Sequence, residues 1–184
     1  NMVYGCAGSG IRCMTSSSSP GISLKTEGIS YIAGADLPCV IINVQRGGPG
    51  LGGIQPSQAD YWQVTRALGH GDFHVLVFAP STVQEMADTV TKAFDLADKY
   101  RMPAVILADG LLGQMMEPVA FDESAEIKLS DASGKPWAAT GHGNKRKHNI
   151  INSLYLQAAE LEEKIRARFE RYEQVKANET MAEC

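Results

Sequence analysis

Three apolar runs of strand length, Cys39 to Val44, His74 to Ala79 and Ala104 to Ala108, do most to limit what this chain can fold into. A strand with one wet face alternates apolar and polar residues, whereas a continuous run is buried on both faces. Between the runs the period changes to that of a helix. Tyr61, Trp62, Val64, Thr65 and Leu68 recur at helical spacing within Ala59 to Leu68, and Met86, Val90, Phe94 and Leu96 form a stripe that ends near Tyr100. Ser81 and Gln84 have the spacing of a capping box ahead of that stripe. Upstream, Ile11 to Thr15 reads as a short strand and Thr15 to Ser19 as a polar loop. Pro20 then opens a helical pattern through Ile22, Ile29 and Ile32. Strand and helix alternating at this rhythm predict an α/β fold, a parallel sheet with helices on both faces. Ligands of such sheets bind beyond the carboxyl ends of the strands, where the loops Thr15–Ser19, Arg46–Ser57 and Asp109–Gln114 are expected to gather.

After Pro118 the pattern changes. Phe121 to Ile150 is polar and rich in Gly, Ser and Lys, and reads as a linker or an arm lying over another surface. From about Ala158 a charged helix follows, with Leu161, Ile165, Phe169 and Tyr172 along one face and Glu162 four residues ahead of Arg166. The expected organisation is a domain over 1–118, a linker or arm over 119–157 and an amphipathic helix over 158–184. Asn1 to Ala7 reads as the tail of a helix that began earlier, and the chain stops just after the last helix. Both ends are therefore expected to be cut.

Composition removes several function classes. A net charge of −4 gives no broad basic surface for nucleic acid. The longest apolar runs are far too short to span a bilayer, and no signal peptide is visible, so no membrane role is expected. Cys6, Cys13, Cys39 and Cys184 contain no C-x-x-C pair, which argues against an iron–sulfur or zinc site in this chain and for buried thiols in a reducing compartment, the cytoplasm.

Gly48, Gly50 and Gly53 match the spacing G-x-G-x-x-G directly after a strand. The dinucleotide reading fails on context. Gln55, Pro56 and Ser57 delay the helix whose amides should hold a pyrophosphate, Pro49 removes one amide from the cradle, and no acidic residue ends a second strand at the right distance. Arg46 remains, at the carboxyl end of the strand beside residues that let a flat ligand approach the main chain. It suits a carboxylate held in bidentate fashion, or else a salt bridge to a neighbouring loop. Ser16 to Ser19 either meet a polar ligand or cap the helix opened by Pro20. His70, His74, His142 and His148 lack metal-ligand spacing, and Lys145 to Lys147 suit a phosphate or a solvated loop.

At these loops the sequence resembles a known family. Asn1-Met-Val-Tyr-Gly-Cys-Ala-Gly-Ser-Gly10, Met14-Thr-Ser-Ser-Ser-Ser-Pro-Gly-Ile-Ser-Leu-Lys25, Glu27-Gly-Ile-Ser-Tyr-Ile-Ala-Gly34, Arg46-Gly-Gly-Pro-Gly-Leu-Gly52, Gln55-Pro-Ser-Gln-Ala-Asp-Tyr61, Gly69-His-Gly-Asp72, Gly113-Gln-Met-Met-Glu-Pro118 and Asn149-Ile-Ile-Asn152 resemble, in order, the α subunit of 2-oxoacid:ferredoxin oxidoreductases, with the flavour of the 2-ketoisovalerate (branched-chain) members. The resemblance implies a thiamine-diphosphate pyrimidine-binding domain, incomplete here, in an enzyme that oxidatively decarboxylates a 2-oxoacid to an acyl-CoA. It further implies a β subunit that binds the diphosphate and its magnesium, iron–sulfur clusters on partner subunits, coenzyme A as co-substrate and ferredoxin as acceptor. By the same resemblance Arg46 holds the substrate carboxylate, Gly47 and Gly48 wall the cofactor, and Ser18 lines the cavity. The family's activating glutamate falls just upstream of Asn1, so these residues alone are expected to be inactive. Two other readings stay open: a non-catalytic assembly module, and a nicotinamide-dependent dehydrogenase resting on the glycine spacing alone. Titration with NADH is expected to give no fluorescence enhancement, and a saturable enhancement would restore the dinucleotide reading.

Overall fold

The apolar runs pair with one another. In the computed structural model, which describes residues 1–122 and 131–179, strands β1 (Met14–Ser17), β2 (Cys39–Gln45), β3 (Leu76–Phe78) and β4 (Pro103–Asp109) form one parallel sheet in the order β1-β2-β4-β3. The register sets Ile41 beside Thr15 on one side and Val105 on the other, and Val105 beside Val77. Helix α1 (Met2–Gly8) precedes the first strand, helices α2 (Pro20–Ser23), α3 (Thr26–Gly34), α4 (Tyr61–Arg66) and α5 (Val83–Tyr100) provide the crossovers, and a 3-10 turn at Leu112–Gln114 and helix α6 (Ala158–Asn178) follow.

Period-two alternation divides the side chains of β2 and β4 between two cores. Cys39, Ile41, Val105 and Leu107 join Ala7, Ile22, Ile29, Ile32, Leu37, Val64 and Leu68 in one buried cluster, the side of α1 to α4. Val40, Ile42, Ala104 and Ile106 fall on the alternate face, and α5 packs on β2 and β4 with Ala93, Leu96 and Ala97 buried. Burying a side chain such as Ile41 or Ile106 stabilises the fold by about 1.5–3 kcal/mol. Helices on both faces of a parallel sheet are the architecture expected from the sequence.

Several boundaries differ from expectation. The first strand lies later than Ile11 to Thr15 and takes in Ser16 and Ser17, because the backbone ladder to β2 carries polar residues readily at a sheet edge. The helical pattern after Pro20 breaks at Leu24–Lys25 into two helices, and Lys25 Nζ donates to Thr15 Oγ1 (2.6 Å) and to the Ser16 carbonyl (2.8 Å). The helix expected over Ala59 to Leu68 is shorter at both ends, and β3 is shorter than the run His74 to Ala79.

The capping box of α5 is shifted by one residue. Thr82 is the N-cap, its hydroxyl accepting from Glu85 N (3.1 Å), while the Glu85 carboxylate accepts from Ser81 N (2.7 Å) and Ser81 Oγ (2.8 Å). A carboxylate serves the positive end of a helix better than the Gln84 amide does. Gln84 instead pairs with both backbone groups of Ala120 (2.8 and 3.1 Å), and Glu117 accepts from Val83 N (3.0 Å).

Of the segment after Pro118, residues 131–151 pack on the domain. Lys135 meets Asp98 (2.8 Å), which Arg12 also holds (2.8 Å) while reaching Asp95 (2.6 Å). Ala139 N donates to the Gly8 carbonyl (2.8 Å), Ala138 is buried, and Arg101 lies over the Trp137 ring at 4.6 Å. Gly10, at φ +83°, lets the segment come close, since a Cβ there would press on Ala138 and Ala132. The chain divides into two compact units, Asn1–Ile151 and Asn152–Cys184. Within the second, α6 carries the expected Glu162–Arg166 ion pair (2.6 Å), and Phe169 meets Tyr172 edge to face at 5.3 Å. Leu161, Ile165 and Phe169 are exposed. Cys184 lies outside the described residues, as does part of the polar stretch Phe121 to Ile150.

Thr82→Ala is expected to lower the unfolding free energy in urea by about 1 kcal/mol, and Gln84→Ala to leave the cap intact. The Glu85 carboxyl titrates below its ordinary value because the Ser81 amide and hydroxyl bond its charged form. Its stabilising contribution is therefore present above the unfolded-state value and is lost as pH falls through the folded one. Glu85→Gln should flatten that acid-side slope in pH-dependent urea titrations.

Candidate functional site

The three loops expected to gather do so at the carboxyl ends of β1, β2 and β4. The loop after β2 folds back on its own start. Arg46 forms an antiparallel bridge with Pro56, Gly47 N donates to the Gln55 carbonyl (3.0 Å), and Gly53 N donates to the Gly47 carbonyl (2.9 Å). Two positions demand glycine. Gly50 and Gly52 lie at φ +72° and +65°, and a Cβ on Gly52 would overlap the Gly47 carbonyl oxygen. By contrast, a Cβ on Gly48 would meet nothing within 4 Å. α4 starts only at Tyr61, so no helix N-terminus follows Gly53 and the loop has no pyrophosphate cradle.

Arg46 is half-buried, its Nε is fully covered, and among the described residues that Nε has no hydrogen-bond partner. No ion pair joins Arg46 to a described carboxylate, so the neighbouring-loop salt bridge considered from sequence is not formed among those residues. Leaving a covered donor of a charged group unpaired costs about 1–3 kcal/mol or more, a cost usually tolerated where something else completes the bond.

Ser18 sits where β1 turns into α2, its carbonyl accepting from Gly21 N (3.0 Å). Ser19, next along, adopts φ 55°, ψ −130°, a conformation that costs a non-glycine residue about 1–3 kcal/mol. Its hydroxyl reaches the Gly50 carbonyl at 3.5 Å, joining the serine turn to the glycine loop. Ser18, Gly47, Gly48 and Arg46 thus belong to adjoining loops at one end of the sheet.

Sequence reading missed the polar rim that supports these loops. Asn43 and Gln45 share one face of β2 and are buried, at 0% and 4% exposure. Asn43 Nδ2 donates to Asp60 Oδ2 (2.9 Å), and Gln45 Oε1 accepts from Asp60 N (2.9 Å). Gln58 donates to Asp109 Oδ2 (3.0 Å), while Asp109 Oδ1 accepts from Leu112 N (2.8 Å). The Leu112 amide, with Gln58 and the Leu111 amide behind it, holds the Asp109 carboxyl below its ordinary value against a smaller opposing effect of burial. The strand therefore grips the far end of its own loop. The available signal was a polar pair, two residues apart, at the end of an otherwise apolar strand.

The remaining sequence candidates lie elsewhere. His142 and His148 meet as a tilted ring pair with centroids 4.1 Å apart, and Arg146 donates to the Lys147, Ala138 and Thr140 carbonyls. Among the described residues no group of three or more His, Cys, Asp or Glu side chains could hold a metal ion, and no helix is long and apolar enough to cross a membrane.

Residues 1–183 match the family model described as pyruvate flavodoxin/ferredoxin oxidoreductase, thiamine diphosphate-binding. The chain is 51% identical over 183 residues to the ketoisovalerate oxidoreductase subunit VorB of Methanothermobacter thermautotrophicus, covering 100% of this chain and 51% of that one. It is 43% identical over 128 residues to the 2-oxoglutarate synthase subunit KorA of Methanocaldococcus jannaschii, covering 68% of this chain and 34% of that one. Among solved structures, a 2-oxoglutarate:ferredoxin oxidoreductase from Magnetococcus marinus, with 2-oxoglutarate, coenzyme A and succinyl-CoA bound, superimposes with a TM-score of 0.75 at 25% identity, over 98% of this chain and 36% of that one. The chain spans about half the length of the VorB relatives it matches.

Gly52→Ala is expected to lower the thermal midpoint of the domain by several degrees, as about 1–3 kcal/mol of strain enters the loop. Gly48→Ala should leave the midpoint unchanged. Equal midpoints for the two variants would show that the loop does not require the left-handed turn.

Proposed function

The chain belongs to the pyruvate flavodoxin/ferredoxin oxidoreductase, thiamine diphosphate-binding family, and from that premise we propose that it forms part of the α subunit of an enzyme that oxidatively decarboxylates a branched-chain 2-oxoacid. The product is the acyl-CoA, coenzyme A is the co-substrate, and ferredoxin accepts the electrons. The observation that carries the reading is the covered, unpartnered Arg46 Nε beside glycines that leave open space at the carboxyl end of the sheet. The 51% identity to subunits named for ketoisovalerate supports the branched-chain choice. A β subunit binding the diphosphate and magnesium, iron–sulfur subunits, and a cytoplasmic location complete the proposal. Within the chain, 1–118 is the pyrimidine-binding part, 119–157 a linker or arm and 158–184 the segment that carries the amphipathic helix.

The residues present fit a flat cationic cofactor and an anionic substrate. When bound, thiamine diphosphate supplies the electron sink for decarboxylation. Arg46 holds the substrate carboxylate in place before its loss, a contribution of position. Burial of the guanidinium strengthens that charge-assisted bond. Gly47 and Gly48, without side chains, leave room for the ring against the main chain, and the Ser18 hydroxyl lines the same space. The rim of Asn43, Gln45 and Asp60 keeps Arg46 and its loop in register with the sheet.

The assembled enzyme is expected to reduce viologen in a 2-oxoacid- and coenzyme A-dependent manner, and absence of that activity would overturn the proposal. Arg46→Ala should lower kcat/KM for the 2-oxoacid by about 10- to 100-fold with the fold intact, the worth of one charge-assisted hydrogen bond. Near-normal kinetics would remove Arg46 from the site. The exposed Leu161, Ile165 and Phe169 on α6 favour a second reading, a module for subunit contact alone. Calorimetric titration of the α–β complex with thiamine diphosphate separates the two, because a pure scaffold takes up none.

A further inference from the structure

Cys6 and Cys13 look isolated in the sequence, yet the fold brings them together. α1 ends at Gly8, and Gly10, in the left-handed region at φ +83°, reverses the chain so that the Ile11 amide returns to the Cys6 carbonyl (3.3 Å). Cys13 Sγ then donates to the carbonyl of Val3 (3.4 Å), one turn back along α1 from Cys6. Helical side chains lean toward the N-terminus over the turn three to four residues earlier, so the Cys6 thiol covers the same spot. From there the Cys6 thiol is close enough to weigh on the ionisation of Cys13. Both are half-buried, whereas Cys39, in the same core, is fully buried.

We infer that Cys6 and Cys13 form a peroxide-reactive dithiol that closes to a disulfide tying the end of α1 to the residue just before β1. The oxidant is hydrogen peroxide or an alkyl hydroperoxide. Burial and the adjacent Cys6 push the Cys13 thiol up to about 12, with Lys135 a weaker opposing influence, which suits Cys13 to the resolving role. The Cys6 sulfur attacks one peroxide oxygen. An S–O bond forms, the O–O bond breaks, and the departing hydroxide (alkoxide for an alkyl hydroperoxide) takes up the proton Cys6 has lost, leaving a sulfenic acid and one water or alcohol. The Cys13 sulfur then attacks the Cys6 sulfur. The S–S bond forms, the S–O bond breaks, and the leaving hydroxide takes the Cys13 proton as water. Two thiols lose two electrons in total and the peroxide gains them. Placement of both thiols over the same turn of α1 makes the second step intramolecular and fast relative to further oxidation of Cys6. The inference does not depend on the proposed reaction, since no turnover enters its test.

The test exposes the native protein to hydrogen peroxide, blocks remaining thiols by alkylation and maps the peptides by mass spectrometry. A Cys6–Cys13 cross-linked peptide short of two hydrogens is expected, reversed by dithiothreitol, with Cys39 still alkylated and a yield independent of protein concentration. In Cys13→Ser, dimedone should trap a sulfenic acid on Cys6, and in Cys6→Ser neither cross-link nor sulfenic acid should form at Cys13. The inference is overturned if wild-type Cys6 and Cys13 both remain alkylatable, if Cys6 joins Cys39 or Cys184 instead, or if Cys6 goes directly to sulfinic acid. The wild-type map decides the matter even if a variant fails to fold.

Discussion

The parallel pairing of β2 with β4, buried on both faces, is the constraint on which the rest depends. A strand of a parallel pair cannot be reached by a tight turn, so each return of the chain requires a crossover, and every strand ends at the same edge of the sheet. Seven consecutive residue pairs, Cys39 with Pro103 through Gln45 with Asp109, hold that edge level. Arg46 and Asp109 follow from it as neighbours, one just beyond β2 and one closing β4. The bonds from Asn43 and Gln45 to Asp60 extend the same order outward, fixing at both its ends the excursion that runs from Arg46 to Ala59. A charged side chain held by a loop this confined loses little further freedom on meeting a ligand.

Polar groups are spent unevenly in this molecule. Among described residues, Asp60 and Asp109 are engaged in the rim, and Asp95 and Asp98 hold Arg12 and Lys135 on the far side of the domain. Glu85 and Glu117 serve the start of α5. Each of these carboxylates has structural work, whereas the covered Nε of Arg46 has none. That asymmetry, rather than the presence of an arginine in a loop, sets the site apart from the surface.

The fold class was legible because buried parallel strands write themselves as apolar runs and the crossover helices between them change the period. Boundaries were less legible, and for a physical reason. Ser16 and Ser17 enter β1 through backbone bonds that no side-chain pattern records, and the choice between Ser81 and Thr82 as N-cap turns on which downstream residue carries a carboxylate. The loop carrying Arg46 was readable from its glycines and its delayed helix. Its support was not, since the partners of Asn43 and Gln45 lie 15 to 17 residues away. The Cys6–Cys13 proximity was equally hidden, because thiols seven apart are two helical turns distant until Gly10 turns the chain back.

The chain carries two tryptophans, and the fold gives them different surroundings. Trp62 lies at 71% exposure on α4, two residues beyond the Asp60 clasp, with Arg66 over its ring at 5.6 Å. Trp137 is half-buried under Arg101 in the segment that packs against α1 and α5. Intrinsic emission is therefore a two-channel signal, one channel open to aqueous quenchers and one shielded from them. Red-edge, iodide-sensitive light reports on the neighbourhood of the glycine loop, and the shielded component reports on whether the outer segment is seated. The protein thus carries unlabelled optical probes of its glycine loop and of its opposite flank.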